Sequence, residues 1–259
     1  MFSEERREQI LEKLKKEGRL LAKELANEYN LSLDSIRRDL SIMEDQGLLK
    51  RTHGGAIPIP NVRTMPQPPY KRYGEGTLFQ NAIAKSAATI IKEGQTVFIG
   101  GAAIHFVMLK YLPMDISFSV ITNSVEVAYN LREVDNIQLY LIGGEVKSSG
   151  NMTDALANEF ACQFTIDLCF ATGGGLSQRG LSTATPEVSI FHKTVYDNSK
   201  EVIGLIEHSK FGVDLFSKMY PLHKLDKIIT DEETTNDNID IIRAQGIEVI
   251  IAGINEALS

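Results

Sequence analysis

Apolar residues recur at intervals of three and four through the first 46 positions of the chain, which is the spacing of helices with one buried face. The pattern predicts three helices, over residues 4–17, 21–29 and 33–46. Asn30 makes the turn before the third helix, and Ser32 caps it. A short extended segment, 48–53, and the glycine pair 54–55 then predict a β-hairpin. This order of elements is that of a winged helix-turn-helix.

Five of the eight prolines lie between residues 58 and 69, so this stretch cannot be a helix. Residues 57–77 are therefore predicted to form a semi-rigid linker. Beyond it, helices such as 82–91 and 125–131 separate seven apolar strands, predicted at 96–99, 118–122, 138–142, 167–171, 202–206, 227–230 and 248–252.

Near-continuous apolar strands separated by helices indicate a mostly parallel sheet covered on both faces. The predicted fold class is α/β. An N-terminal winged helix-turn-helix domain, 1–56, is joined through the linker 57–77 to an open, mostly parallel α/β sheet domain, 78–259.

The formal net charge of −7 is placed unevenly along the chain. Residues 1–56 hold 11 Lys and Arg against 11 Asp and Glu, so their net charge is zero, and the remaining 16 and 23 give −7 for residues 57–259. A DNA-binding module of zero net charge has to gather its cations on one face. The acidic remainder is expected to be repelled by phosphates.

The sequence does not predict a membrane span, a signal peptide, a metal site or a cofactor. No apolar run reaches the 18 residues of a membrane span, and the charged start of the chain is unlike a signal peptide. Cys162, in a predicted helix, and Cys169, in a predicted strand, are expected to be buried free thiols, which suits a reducing cytoplasm. No pair of potential ligands shows metal-site spacing, so neither a metal nor a cofactor is predicted.

The third predicted helix carries polar side chains off its apolar face. A recognition helix presents such residues to the major groove, where arginine binds guanine bidentately or grips a phosphate. The hairpin that follows can hold the DNA backbone or enter a minor groove. The candidate DNA contacts are Ser32, Asp34, Ser35, Arg37, Arg38, Lys50, Arg51 and His53. Taken alone, the two helix arginines also fit a solvent-exposed helix face. Asp39 has two interpretations. Its carboxylate orients Arg38 or a neighbouring base, or it balances charge on the helix surface.

The carboxyl ends of the predicted strands carry glycines and polar side chains. Ligands of open α/β sheets bind at this edge, and glycine backbone N–H groups with a lysine charge suit an anion. The candidate effector contacts are Gly100, Gly101, Ala102, Ala103, Asn123, Gly143, Gly144, Gly173, Glu207 and Lys210. Each glycine pair alone also fits an ordinary tight turn. His105 and His208 lie in the same loops, and we expect them to be exposed or bonded locally rather than to contact a ligand.

Several long segments match the pattern of one known family. They include Ser35-Ile36-Arg37-Arg38-Asp39-Leu40, Arg51-Thr52-His53-Gly54-Gly55-Ala56, Val120-Ile121-Thr122-Asn123-Ser124 and Ser209-Lys210-Phe211-Gly212. On these segments the chain resembles the DeoR-type bacterial transcription regulators. The resemblance implies binding to a double-stranded DNA operator and repression of carbohydrate-metabolism genes. It also implies a sensor domain similar in fold to ribose-5-phosphate isomerase that answers to a small phosphorylated metabolite such as a sugar phosphate.

One segment departs from the family pattern. The family has Asp-x-Gly-Ser/Thr-Thr after its first sensor strand, whereas this chain has Gly100-Gly101-Ala102-Ala103-Ile104, and the family's Asp before Ser-Lys-Phe-Gly is Glu207 here. A phosphate bound at this loop loses hydroxyl hydrogen bonds of roughly 0.5–1.5 kcal/mol each. Three outcomes stay open: an altered ligand, a weakened phosphate site, or a regulator that acts without a sugar phosphate.

A sugar-phosphate isomerase is the rival interpretation. Such an enzyme needs a carboxylate base and charged groups that stabilise an enediolate. The loop 172–176 contains no acid, and Glu187 and Glu207 stand without a supporting array, so we expect a regulator rather than an enzyme. Because one winged helix reads only a short site, we also expect a homodimer or higher homo-oligomer, assembled through the sensor domain.

Overall fold

A computed structural model describes residues 3–45, 49–52, 54–58 and 73–254 of the chain. The chain divides into two compact units, Met1–Asn61 and Val62–Ser259. The predicted helix end at Gly47, His53 of the hairpin, and residues 59–72 of the predicted linker lie outside the described residues. Among the residues described, no helix is both long and apolar enough to span a bilayer.

The described part of the first unit consists of three helices and three very short strands. Its elements are α1 (Ser3–Glu17), β1 (Leu20–Leu21), α2 (Ala22–Glu28), α3 (Leu33–Asp45), β2 (Leu49–Thr52) and β3 (Gly55–Pro58). The strands form an antiparallel sheet in the order β1-β3-β2. The three helices and the hairpin are as predicted. Two boundaries differ, because β1 takes Leu21 from the predicted second helix and β3 takes Ile57 and Pro58 from the predicted linker.

All six elements contribute to one closed core. Its buried residues are Ile10, Leu14, Leu20, Ala22, Leu25, Ala26, Ile36, Leu40, Met43, Leu49 and Ala56. Asn30 has a φ of 53°, so it makes the left-handed turn that the sequence predicts before α3. Gly55 belongs to β3 rather than to a turn, and a Cβ there would lie 1.8 Å from the carbonyl oxygen of Leu20. Only glycine therefore lets β1 pair with β3.

The second unit is a parallel sheet with helices on both faces. Its elements in chain order are α4 (Leu78–Ala88), β4 (Thr96–Phe98), α5 (Ala103–Met108), β5 (Phe118–Thr122), α6 (Val125–Leu131), β6 (Ile137–Leu141), α7 (Ala155–Ala161), β7 (Ile166–Ala171), β8 (Gly175–Ser177), β9 (Gly180–Thr183), α8 (Pro186–Asp197), β10 (Ser199–Ile206), β11 (Ser217–Tyr220), β12 (Lys227–Asp231), α9 (Asn236–Arg243) and β13 (Glu248–Ala252). Two buried apolar clusters cover the two sides of the sheet. The predicted fold class is confirmed.

Seven strands form the large sheet in the order β13-β12-β10-β7-β4-β5-β6, and every pairing in it is parallel. From β4 the chain moves outward to β5 and β6, then returns to β7 on the other side of β4. The strand order therefore reverses between β4 and β7. Open α/β sheets bind ligands at such a reversal, beyond the carboxyl ends of the strands.

Three details of the second unit differ from the sequence prediction. A small antiparallel sheet, β11-β9-β8, includes residues that the pattern assigned to a glycine-rich loop. The helix α4 begins at Leu78 instead of residue 82, because the Thr77 side chain caps it. Both cysteines are free, as expected, but only Cys169 is buried. The predicted burial of Cys162 is wrong, because it follows Ala161, the last inward-facing residue of α7.

Candidate DNA interface and effector site

The start of α3 is fixed by two serines. The Oγ of Ser32 accepts a hydrogen bond of 3.2 Å from the backbone N–H of Ser35, so Ser32 caps the helix as predicted. The two hydroxyl oxygens also lie 2.9 Å apart. Both side chains remain at the surface while they hold the first turn in place.

Arg37 and Arg38 of α3 are exposed, on the side of the helix away from the core residues Ile36 and Leu40. An Nη1 of Arg37 lies 3.5 Å from Asp34 Oδ1, and the two side chains are 57% and 86% exposed. An ion pair so open to water contributes little, so it leaves Arg37 available to another anion. Both arginines and Asp34 therefore share an accessible, mostly cationic face.

Asp39 has neither of the roles that the sequence left open. It is buried, and its Oδ2 accepts hydrogen bonds from Arg6 of α1, at 2.8 Å from Nε and 2.7 Å from Nη2. The carboxylate thus neither orients Arg38 nor balances charge at the surface. It locks the recognition helix to α1 through a charged pair with little access to water.

The hairpin is tied to α3 by Arg51. Its backbone N–H donates to Glu44 Oε1 at 2.8 Å, and its Nη1 donates to Ser41 Oγ at 3.1 Å. Lys50, next to it on β2, is exposed. A groove of 260 Å³ between helix and hairpin is lined by residues that include Arg37 and Arg51. The predicted contact His53 lies outside the described residues.

The candidate effector residues all follow carboxyl ends of strands in the large sheet. Residues 100–103 follow β4, Asn123 follows β5, Gly143 and Gly144 follow β6, Gly173 follows β7, and Glu207 and Lys210 follow β10. The structure does not bring all of them together. Four strand spacings separate β6 from β10, which at about 4.8 Å each is roughly 19 Å.

Gly143 and Gly144 therefore follow an edge strand that lies four strand spacings from the strand leading to Lys210, on the outer part of this edge. The glycine at position 144 is explained by local packing. A Cβ there would lie 2.6 Å from Oδ1 of Asp154, the residue that caps α7. The central loops, around β5, β4, β7 and β10, are the part of the edge that can surround a ligand.

Asn151 lies directly on the loop that follows β4, a contact that is not predictable from the sequence pattern. A Cβ on Gly101 would lie 1.9 Å from Asn151 Oδ1, so the amide rests on the bare Cα of the glycine. The Asn151 Nδ2 also donates to the Gly101 carbonyl, at 3.5 Å. The two residues are 50 positions apart in the sequence, so no local pattern indicates this contact.

His105 is fully buried in α5, beside the same loop. Its Nε2 lies 2.8 Å from the carbonyl oxygen of Phe170, and the Gly100 backbone is a second hydrogen-bond partner of the ring. Burial, with a small contribution from the nearby Lys210 charge, lowers the pKa of His105 to about 4. The imidazole is therefore neutral near pH 7 and bonded locally.

Lys210, the candidate cation of the site, already has a counter-charge. Its Nζ lies 3.5 Å from Glu207 Oε1, which also accepts a 3.0 Å hydrogen bond from Gln80 Nε2. Gln80 belongs to the capping box that starts α4, a role that was not predicted from the sequence. A bound anion has to share Lys210 with a nearly buried carboxylate.

His208 is also bonded within the protein. Its Nδ1 lies 2.7 Å from Oδ1 of the buried Asp231, and its ring meets the edge of Phe79 at 4.8 Å. Glu187, one of the acids considered as an enzymatic base, accepts a 2.8 Å hydrogen bond from Thr153. Among the residues that the structure describes, no group of three or more His, Cys, Asp or Glu is arranged to hold a metal ion.

Comparisons with known proteins agree with this architecture. A family model described as the DeoR-like helix-turn-helix domain matches residues 6–61, and one described as the DeoR C terminal sensor domain matches residues 79–232. The chain is 28% identical over 257 residues to the HTH-type transcriptional repressor GlcR of Bacillus subtilis (strain 168), which covers 99% of both chains.

A second relative is the glycerol-3-phosphate regulon repressor of Escherichia coli (strain K12). It is 29% identical over 235 residues, which are 89% of this chain and 92% of that protein. Among solved structures, ribose 5-phosphate isomerase A from Methanocaldococcus jannaschii aligns with a TM-score of 0.38 and 16% identity over 51% of this chain and 53% of that chain.

Proposed function

The chain belongs to the DeoR family of DNA-binding transcriptional regulators, and from that premise we propose that it represses carbohydrate-metabolism genes by binding a double-stranded operator through α3 and the β2–β3 hairpin. The observation that carries this proposal is the exposed cationic face of a firmly held helix. Arg37 and Arg38 are open to solvent, while the buried Arg6–Asp39 pair fixes the helix behind them. We assign Ser32, Asp34, Ser35, Lys50, Arg51 and His53 to the same interface.

Replacing each helix arginine by alanine tests the interface. Arg37→Ala and Arg38→Ala each weaken operator binding by roughly 1–3 kcal/mol if the side chain reads a base. If it grips a phosphate instead, binding falls alike on operator and random duplex, and the salt slope decreases by about one. Arg132→Ala is the matched control, because Arg132 is exposed on the sensor unit. Unchanged operator affinity in both helix variants, with the fold intact, would contradict the assignment.

We further propose that a small phosphorylated molecule controls this binding from the central loops of the sensor edge. The support is the position of Gly100, Gly101, Ala102, Ala103, Asn123, Gly173, Glu207 and Lys210 around the strand-order reversal. The Escherichia coli relative is named for a phosphorylated metabolite, glycerol 3-phosphate. Gly143 and Gly144, at the edge strand, form the outer part of this proposed surface.

One observation favours a second candidate, a regulator that acts without such a ligand. The Glu207 carboxylate lies 3.5 Å from the Lys210 ammonium and competes with a phosphate for it. A thermal-shift screen of the whole chain with sugar phosphates, other phosphates and free sugars separates the two candidates. A ligand at 100 times its Kd adds roughly 2.7 kcal/mol of stability. No shift with any compound would favour the ligand-independent regulator.

A homodimer or higher homo-oligomer completes the proposal. One winged helix contacts a short site, and two half-sites on a symmetric operator supply the usual specificity. We place the assembly surface on the sensor unit, since the exposed face of the small first unit is assigned to DNA. Light scattering of the whole chain at the concentrations that bind operator is expected to give at least twice the mass of one chain. A strictly monomeric chain that still binds a two-half-site operator with full affinity would contradict this part.

A further inference from the structure

The large sheet of the second unit ends at β6, whose outer edge pairs with no strand among the residues described. Ile142 N–H donates to the Thr122 carbonyl of β5 at 2.8 Å, and the Asn136 carbonyl accepts a hydrogen bond from the start of β5. The even-numbered residues of this strand are therefore the ones bonded to β5. Because the backbone groups of a strand alternate in direction, the N–H and C=O groups of Leu139 and Leu141 point outward from the sheet.

The residues of β6 carry none of the features that usually protect an open sheet edge. The strand reads Ile-Gln-Leu-Tyr-Leu, without charge, proline or glycine, and its register with β5 is unbroken. Folded proteins block strand addition at an edge with charges, proline or a bulge. The opposite edge strand, β13, does begin with a charge, Glu248. The β6 edge is thus suited to pair with a further strand.

An apolar row adjoins this edge on the α7 side of the sheet. The ring of Tyr140 lies 6.0 Å from that of Phe164, which lies 5.5 Å from that of Phe160. Leu156 precedes Phe160 by one turn of α7, so the row extends from the strand along the helix. Leu156 is 66% exposed, Tyr140 40% and Phe160 38%. We call the outer edge of β6 together with this row the β6–α7 surface.

The area of the β6–α7 surface fits a protein partner. With Leu141, which is 42% exposed, the row leaves on the order of 400 Å² open, if a fully exposed leucine or aromatic residue presents about 200–250 Å². A stable interface buries about 800 Å² on each partner, and about 56–65% of it is apolar. The row supplies most of that apolar share, and the outward backbone groups of β6 supply polar contacts.

We propose that β6 pairs with β6 of a second copy of this chain, antiparallel across a two-fold axis, so that the two seven-stranded sheets become one. The inference rests on the proposed homo-oligomer and names its surface. An axis through Tyr140 sets Leu139 of each copy opposite Leu141 of the other, and both pairs exchange their N–H···O bonds. The two Tyr140 side chains then lie opposite each other, within contact distance.

A second copy covers more of this surface than an extended peptide can. The two-fold axis is perpendicular to the joined sheet, so it keeps both α7 helices on the same face. Leu156 and Phe160 of the two copies then approach each other beside the paired tyrosines. A peptide added to the edge would satisfy β6 and leave the α7 row open to water. Aromatic residues without charges among them are typical of the centre of such an interface.

Light scattering of the whole chain over a range of concentrations tests the proposal. Leu156→Glu and Tyr140→Glu each bring a charge into the apolar centre, and each is expected to raise the dimer Kd at least about thirtyfold. Ile251→Glu is the matched control, because Ile251 is 47% exposed on the opposite edge strand, β13. Its Kd is expected to equal that of the wild type. An unchanged Kd in both β6–α7 variants, or an equal rise in the control, would overturn the inference.

Cross-linking tests the same axis without disrupting it. Antiparallel neighbours directly opposite each other have Cβ atoms about 4.5–5.5 Å apart, close to the separation in a disulfide. Tyr140→Cys, made together with Cys162→Ser because Cys162 is exposed, is expected to give a covalent dimer with oxidised glutathione as the oxidant. Ile251→Cys in the same background is expected to stay uncross-linked. A covalent dimer through position 251 and not through position 140 would overturn the proposal.

The wild-type measurement separates this inference from the proposed function. A wild-type chain that stays monomeric at every concentration would contradict the homo-oligomer of the proposed function and this inference with it. A wild-type dimer that neither β6–α7 variant weakens would contradict this inference alone.

Discussion

The two units of the chain place their cations in opposite ways. In the first unit the buried charge is paired, Arg6 with Asp39, while Arg37, Arg38 and Lys50 remain at the surface. At the edge of the second unit the cation Lys210 is held by Glu207. The side-chain oxygens of Asn123 and Asn151 near that edge are neutral, buried acceptors without a hydrogen bond among the residues described.

This difference indicates two kinds of recognition. Exposed cations suit a dense row of phosphates, and an interaction of that kind weakens steeply with salt. Neutral acceptors in a closed loop suit hydroxyl or amino groups, whose hydrogen bonds depend little on ionic strength. The comparison therefore predicts strong salt dependence for DNA binding and weak salt dependence for effector binding.

The largest expected effect comes from breaking the buried pair of the first unit. Asp39→Ala leaves the Arg6 guanidinium, whose side chain is 13% exposed, without its partner. Removal of one member of a buried ion pair costs about 3–5 kcal/mol. Denaturant unfolding of the first unit should report this loss. Asp34→Ala is the control, since its exposed pair with Arg37 is worth less than about 1 kcal/mol; equal losses in both variants would show that the Arg6–Asp39 pair is not special.

The second effect concerns the neutral histidine of the sensor. Burial lowers the pKa of His105 from 6.5 to about 4. Between these values the unfolded chain binds more protons than the folded one, so the free energy of unfolding falls as the pH falls. Relative to pH 8, His105 alone is expected to remove about 2 kcal/mol by pH 5.

His105→Gln isolates this contribution, because titrating groups that do not interact with His105 cancel in the difference between wild type and variant. His192, whose pKa is lowered to about 3 by burial and to a smaller extent by His105, is the neighbouring group that does not cancel fully. The difference in unfolding free energy is expected to be constant above pH 7 and to change by about 2 kcal/mol between pH 7 and 5. Parallel pH profiles for the two proteins would mean that His105 titrates normally in the folded state.

The elements of both units were predictable where the signal is local. The apolar spacing of Ile36, Leu40 and Met43 and the Ser32 cap define α3 within a few positions of the chain. Apolar runs such as Phe118–Thr122 and Ile166–Ala171 identify buried parallel strands. The strand β1 has two residues, too few for any periodicity, and it exists because Leu20 and Leu21 pair with residues 36 and 34 positions away. The strands β8, β9 and β11 are likewise too short to show a periodicity in the sequence.

The polar contacts that define the sites were less predictable. Asp39 lies beside Arg38 in sequence, but its partner is Arg6, 33 residues earlier. Asn151 rests on Gly101 across 50 residues, and Gln80 reaches Glu207 across 127. The sequence shows which residues carry useful chemistry at strand ends. It does not show which of them the fold has already bonded to each other, and that decides what remains for a ligand.

A smaller effect is expected from Lys50, an exposed cation of the hairpin. Lys50→Ala removes one phosphate contact and should weaken binding to operator and random duplex alike, by about 1 kcal/mol. The slope of log affinity against log salt should decrease by about one. Titrations at several salt concentrations check both quantities. A loss confined to the operator would instead make Lys50 a reader of bases, and an unchanged slope would remove it from the interface.

The smallest expected effect concerns the sensor unit. It measures how much of the Lys210 charge remains available to a bound anion. Glu207→Gln keeps an oxygen for the Gln80 hydrogen bond and removes the negative charge beside Lys210. Affinity for methyl phosphate is then expected to rise by about threefold, less than 1 kcal/mol, since the pair is partly open to water. Lys210→Met should lower the same affinity by a similar factor, because most of the lysine charge is already met by Glu207. If Lys210→Met abolished binding of every phosphate while Glu207→Gln had no effect, the cation would dominate the sensor after all, and the two units would recognise their ligands in the same way.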